Sequence, residues 1–342
     1  MQIFFSPTQQ RHAPKTFLLR GRLVESPERA ERADALLAAA RSAGHEVVQP
    51  RSFPRDAVAA VHRADYLAFL ETGYSAWSGL PNAAPEITPN IHPNRHMSRR
   101  PHGIVGLAGW YLADTGTPIG PETWVASLAA ADTALAACEA VMAGAPVAYA
   151  LCRPPGHHAY ADMAGGFCFL NNAAIAAEHA RRRRDRVAIL DVDVHHGNGT
   201  QGIFYERADV LFASLHGDPA GFYPFYAGYA EETGAGPGAG FTMNLPLAHG
   251  SGDEVYMQAL ARALGRIRSY APGLLVVSLG LDASEADPLG VLKISTTGFE
   301  RIAGAIAGLG LPTVLVQEGG YLSSVLGANL AAFLAGFEAA GG

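Results

Sequence analysis

Val-Ala-Ile-Leu-Asp-Val-Asp-Val-His-His-Gly-Asn-Gly-Thr, residues 187–200, is the stretch from which the fold is read. Val187 to Leu190 make an uncharged apolar run of strand length, cut off by polar residues, and so predict a buried strand. Asp191, Asp193, His195 and His196 follow at its C-terminal end, with Gly197 and Gly199 close behind. In open α/β sheets, ligands bind outside the carboxyl ends of the strands. Alternation along an extended backbone puts Asp191, Asp193 and His195 on one side and turns His196 away. Two carboxylates and an imidazole converging there are costly to desolvate unless a cation compensates them. Charged residues after a strand also occur as a solvated loop or a helix cap. The chemistry at the other strand ends weighs against that simpler reading.

Working outward, Val147 to Leu151, Val210 to Leu215, Leu274 to Leu279 and Thr313 to Val316 are also strand-like. Helical stretches near 172–182, 253–270 and 298–308 separate most of them. Buried strands alternating with helices predict an α/β fold with a mostly parallel sheet covered on both faces, in a single domain over 1–342. Towards the N-terminus, Gln2 to Phe5 predict a first strand. Residues 27–43 predict a helix ended by Gly44, and 55–71 a second helix containing His62 and Tyr66. Thr123 is expected to cap a long Ala-rich helix reaching Met142. Between them, Gly73 to Gly106 holds Pro81, Pro85, Pro89, Pro93 and Pro101 with little periodicity. Such an insertion is either a mobile surface loop or an oligomer contact that shapes an active-site rim.

Composition narrows the function. A formal net charge of −6 argues against a nucleic-acid surface and weakly favours a cationic substrate. The one basic run, Arg181 to Arg184, follows a helical pattern and reads as a helix end. Cys138, Cys152 and Cys168 are odd in number and lie in apolar surroundings, which suits buried thiols rather than a disulfide framework. The chain starts without a basic segment and long apolar stretch of signal type, and no run reads as a membrane span; a soluble, cytoplasmic protein is expected.

Four strand ends carry unusual polar sets. Arg-Pro-Pro-Gly-His-His (153–158) places His157 and His158 on a turn, where imidazoles suit general acid–base work. A His-His pair is equally compatible with a structural role. The second set is Asp191, Asp193 and His195. The third, Gly280 to Pro288, puts Asp282 just past a buried strand. The fourth, Glu-Gly-Gly-Tyr (318–321), lets Tyr321 turn back over the strand ends. Asp193, His195 and Asp282 together offer three ligands to one divalent cation and leave a position open, as in catalytic zinc sites. His157 and His158 would manage protons, Tyr321 would donate to an oxyanion, and Asp191 would orient His157. The set suits metal-assisted amide hydrolysis.

These segments, with Gly-Gly-Phe-Cys-Phe-Leu-Asn-Asn (165–172) and weaker matches at 26–32 and 61–66, resemble the zinc-dependent histone deacetylase family of the arginase–deacetylase superfamily. The resemblance spans nearly the whole chain. Ser-Leu-His-Gly-Asp-Pro (214–219), Gly-Tyr-Ala-Glu-Glu-Thr-Gly (228–234) and the Pro-rich insertion at 73–106 look most like the bacterial acetylpolyamine amidohydrolase branch. It implies Asp193, His195 and Asp282 as zinc ligands, His158 as proton shuttle, His157 as its mainly electrostatic partner and Tyr321 as transition-state donor. Two carboxylates and one imidazole would also accept Fe(II) or Co(II). The resemblance implies Phe167 and Tyr223 as tunnel walls, with Gly166, Gly319 and Asp114 beside the substrate. It implies structural K+ behind the zinc at Asp191, Asp193, His195, Ser214 and Leu215, and a remoter K+ site at Phe204, Arg207, Val210 and Phe241. Asn198 stands where some branches pair an aspartate with the second histidine. The resemblance also implies a homodimer whose insertion narrows the active-site mouth and favours small acylated amines over long protein substrates.

The departures concern the substrate. Phe17 and Gly103 fall where polyamine-selective members carry glutamates for distant ammonium groups, with Asp114 as a replacement acid. Losing such a charge partner costs about 1–3 kcal/mol of recognition. An acetylpolyamine, an acetyl-lysine-like compound and an acetylated diamine all remain open as substrates. Two rivals are weaker: a two-manganese, arginase-like ureohydrolase would need extra bridging carboxylates that the run Asp-Val-Asp-Val-His-His (191–196) does not offer and would leave Tyr321 idle, and an inactive acyl-amine binder does not need the intact catalytic set.

Overall fold

Strands that are neighbours in space but not in sequence need crossovers, and here the crossovers are the helices themselves. The computed structural model describes residues 1–341. Its strands are β1 (Gln2–Phe4), β2 (Thr16–Leu19), β3 (Arg22–Glu25), β4 (Glu46–Val48), β5 (Val147–Ala150), β6 (Val187–Asp191), β7 (Val210–Gly217), β8 (Thr242–Leu247), β9 (Leu275–Leu279) and β10 (Thr313–Gln317). Its helices are α1 (Ala30–Ser42), α2 (Asp56–Ala59), α3 (Ala64–Ser78), α4 (Ile104–Tyr111), α5 (Thr123–Met142), α6 (Asn172–Arg181), α7 (Asn198–Phe204), α8 (Asp253–Tyr270), α9 (Thr296–Ala307) and α10 (Leu326–Gly341). Eight strands form one parallel sheet in the order β4-β1-β5-β10-β9-β6-β7-β8, and β2 and β3 form a separate antiparallel hairpin. The expected α/β single-domain architecture is therefore present.

Each central strand buries both faces, which explains its unbroken apolar sequence. In β6, Ala188 and Leu190 face one core while Val187 and Ile189 face the other. Leu315 of β10 joins the first core, and Val314 and Val316 join the second. Side chains from α1, α8, α9 and α10 complete the first core, and those from α3, α4, α5 and α6 the second.

Several expectations change. Thr123–Met142 is in fact long and apolar enough to cross a membrane by length and composition; its sides are mostly buried in the second core, which accounts for that composition without a bilayer. Thr123 is the first helical residue rather than its cap, and its hydroxyl accepts the Gly120 N–H. The single helix expected over 55–71 is two, α2 and α3. His62 lies at the break, with Nδ1 donating to the Tyr160 carbonyl at 3.0 Å and Nε2 accepting the Asn171 N–H at 2.9 Å, while the Arg63 N–H goes to Ala161. Tertiary bonds replace the helical ones there. The ends of the stretch expected to be irregular, 73–106, belong to α3 and α4.

The first core is joined to the strand ends by a buried ion cluster. Glu28, just before α1, accepts from Arg32 Nη1 at 2.7 Å and Arg153 Nη2 at 2.9 Å. Arg32 also donates to the Gly320 and Glu318 carbonyls, and Arg153 to the Gln9 carbonyl. All three charged side chains are essentially inaccessible. Burial works against the ionised Glu28, but the two guanidiniums hold its carboxyl below the usual range. Removing one partner of such a set leaves uncompensated buried charge. Glu28→Gln is therefore expected to cost about 3–5 kcal/mol of stability in urea unfolding; a loss under about 1 kcal/mol would show that the cluster does not hold α1 to the sheet.

Candidate active site

β6 and β9 are adjacent and in register, so the residues just past their C-terminal ends meet. Asp193 and His195 follow β6, Asp282 follows β9, and their ligand atoms all lie within 4.8 Å of one another. His195 Nδ1 is 3.2 Å from both Asp193 Oδ1 and Asp282 Oδ2. Backbone donors fix both carboxylates: Gly319 N–H to Asp193 Oδ2 at 2.7 Å, and Val194 N–H to Asp282 Oδ1 at 3.0 Å. Gly319, expected beside the substrate, instead packs under the carboxylates, and a Cβ there would collide with Asp282. Burial and the facing Asp193 push Asp282 up to about 7. Burial opposes a charged His195, but its contacts with Asp193 and Asp282 outweigh it and push the imidazole up to about 9. Two buried carboxylates thus draw positive charge to this point. Hard oxygen donors with one imidazole match a divalent cation, so the residues fit a metal.

His157 and His158 follow β5, their ring centroids 4.0 Å apart. His157 Nδ1 donates to Asp191 Oδ2 at 2.9 Å, and its Nε2 lies 3.8 Å from Asp193 Oδ1. Burial disfavours its charged form, yet Asp193 and Asp191 prevail and push it up to about 10. His158 Nδ1 donates to Asn198 Oδ1 at 2.6 Å. Asn198 lends no charge, and burial, His157 and His195 together hold His158 well below the usual imidazole range. The two adjacent histidines are thereby pushed in opposite directions. Tyr321, 4% exposed, is held by its N–H to Asp287 Oδ2 at 2.7 Å, with the Arg32 guanidinium 4.7 Å from its ring centroid.

Aromatic rings wall the site. Tyr223 stands edge-on to His158 at 5.0 Å, and Phe167 meets Tyr321 at 5.9 Å and Phe17 at 5.7 Å. Gly166 lies against His158, where a Cβ would collide with the imidazole. Asp114 differs from the expected ammonium receptor: Gly116, Thr117, Gly166 and Tyr223 fill its acceptor positions. Gly103 stands before α4 with open space around its Cβ position. Behind the metal set, Asp191 pairs in register with Ser214, whose hydroxyl donates to His216 Nδ1 at 2.8 Å.

Three contributors were not singled out in the sequence. Phe222 stacks on His195 at 4.6 Å and 16°. Glu318 Oε2 accepts the Gly156 and His157 N–H groups at 2.6 and 3.1 Å, so the Glu-Gly-Gly-Tyr strand end also holds the histidine turn. Burial pushes Glu318 up to about 7. Arg32 reaches the same strand end from α1. Glu318 carried a sequence signal in its place directly before the glycines, and Arg32 in closing the matched stretch 26–32.

The chain is similar to known proteins over nearly its whole length. Residues 23–337 match the model of the histone deacetylase domain. An acetylpolyamine amidohydrolase of Burkholderia pseudomallei is 48% identical over 342 residues, covering 99% of both chains. One from Mycoplana ramosa is 43% identical, covering 98% of this chain and 99% of its own. The crystal structure of an acetylpolyamine aminohydrolase from Burkholderia pseudomallei superposes with a TM-score of 0.97 at 47% identity, covering 99% of each chain. With the domain matched over most of its length and its metal set and paired histidines at the strand ends, this chain belongs to the histone deacetylase family.

Proposed function

We propose that this protein is a zinc-dependent amidohydrolase that removes the acetyl group from a small acylated amine. The convergence of Asp193, His195 and Asp282 with His157 and His158 carries this reading, and Tyr321 stands against the Phe167 ring at the same site. Asp193, His195 and Asp282 would hold the divalent cation, which when bound would supply polarisation of the amide carbonyl and acidification of a water. His158 Nε2 takes a proton from the attacking water and passes it to the amine nitrogen as the C–N bond breaks, releasing acetate and free amine. His157, tied to Asp191, keeps positive charge beside the developing oxyanion. The Tyr321 hydroxyl donates to the same oxygen. Phe167 and Tyr223 exclude water around the bond being cleaved.

The relatives are named as acetylpolyamine amidohydrolases, which supports an acetylpolyamine-like substrate. Phe17, packed on Phe167 at the position of an expected glutamate, favours amines with less distant charge, such as acetylated diamines or acetyl-lysine-like compounds. K+ bound behind the metal by Asp191, Asp193, His195, Ser214 and Leu215 belongs to the same reading, as does a homodimer meeting at the insertion, where Ile91 and Met97 are exposed. So does a cytoplasmic location.

A kcat/KM panel on acetylputrescine, acetylcadaverine, N8-acetylspermidine, acetyl-lysine and an acetyl-lysine peptide tests the substrate. Small acetylated amines are expected to exceed the peptide by about tenfold or more; preference for the peptide would overturn the small-substrate reading. Tyr321→Phe is expected to lower kcat by about 10²–10³-fold while metal content by elemental analysis stays unchanged; undiminished turnover would remove the tyrosine from the mechanism. Asp282→Asn should lose the metal, and the wild type should hold one catalytic equivalent per chain. Two equivalents would favour the ureohydrolase chemistry instead.

A further inference from the structure

The two walls of the site come from distant segments, and one carboxylate joins them. Asp114 Oδ1 accepts the Gly116 N–H and the Thr117 hydroxyl, both at 2.9 Å. Its Oδ2 accepts the Gly166 N–H at 2.8 Å and the Tyr223 hydroxyl at 2.7 Å. Thr117 Oγ1 in turn accepts the Phe167 N–H at 3.0 Å. A carboxylate has about four lone-pair positions, so the protein's own donors use all of them.

The wall that Asp114 holds is strained. Gly165 and Cys168 exchange backbone hydrogen bonds around a two-residue turn, with φ of +54° at Gly166 and +69° at Phe167. Positive φ at both central positions suits glycine and asparagine; a phenylalanine there persists only where its surroundings enforce it. The Asp114 carboxylate and the Thr117 hydroxyl accept the amides of these two central residues, the strained Phe167 and the Gly166 before it. The same carboxylate oxygen that accepts the Gly166 N–H also fixes Tyr223, whose ring stands edge-on to His158. Gly165 lies between: a Cβ there would sit 3.3 Å from Asp114 Oδ2 and 3.5 Å from Tyr223 Oη, so this bare backbone leaves room for carboxylate and phenol to meet.

We propose that Asp114 is a positioning residue that clamps the Phe167 turn to Tyr223 and so fixes a slot that admits unbranched methylene chains and rejects branched ones. This rests on the deacetylase reading above. The clamp acts through the two aromatic walls, not by receiving a substrate ammonium group.

The test compares wild type, Tyr223→Phe and Asp114→Asn by kcat/KM on acetylputrescine and on the same acetylated diamine with a methyl branch next to the amide nitrogen. Tyr223→Phe keeps the ring and deletes only the hydroxyl, so it decides the matter even if Asp114→Asn folds poorly. The ratio of branched to unbranched kcat/KM is expected to rise about tenfold in Tyr223→Phe, the effect of one charge-assisted hydrogen bond, and at least as much in Asp114→Asn. Losses that are equal for both substrates, leaving the ratio at its wild-type value, would overturn the clamp while leaving the deacetylase reading intact. A wild type that cleaves neither compound nor any other acetylated amine would overturn the deacetylase reading and the clamp with it.

Discussion

Everything at this sheet edge answers one cost, the burial of Asp191, Asp193 and Asp282 out of reach of solvent. Three carboxylates in a low-dielectric interior repel one another and forfeit their hydration. The fold offsets this with backbone donors from Gly319 and Val194, with the imidazoles of His157 and His195, and with a place for a divalent cation. The same arrangement is a catalytic opportunity, because fixed dipoles and charges in a dry site act strongly on charge that develops there.

The parallel sheet makes the convergence possible. Parallel neighbours end on the same edge, so residues placed after β5, β6, β9 and β10 come together although they span much of the chain. The helices that return the chain bury both sheet faces and leave that edge as the place where polar groups collect. Glu28, Arg32 and Arg153 then tie the edge to α1 from below, and Glu318 binds the histidine turn to the glycines that carry Tyr321. The residues of the candidate site and the structural charge pairs thus form one continuous buried network.

Much of this was legible in the sequence because the central strands are uniformly apolar and their ends abruptly polar. β5, β6, β7, β9 and β10 were readable for that reason, and with them Asp193, His195 and Asp282. The edge strands were not: β4 is only three residues long and β8 contains Pro246, which an edge tolerates and a pattern-reader takes for a break. α10 was missed because its glycines argue against a helix; Gly336 is there so that α10 can approach the α9 backbone, where a Cβ would collide with the Glu300 carbonyl. The break between α2 and α3 depends on bonds from His62 to residues about a hundred positions away, which no local pattern contains.

Local pattern along the chain is enough to specify the sheet type, the strand ends that gather polar groups and the residue types found there, since periodicity and polar punctuation are local properties of the chain. Tertiary structure decided which groups pair. It put Phe222 on His195, Glu318 under the histidine turn and Asp114 between the Phe167 turn and Tyr223. An aspartate reads alike in sequence whether it faces a ligand or the protein's own donors. Only the packed fold shows which partners occupy its lone pairs.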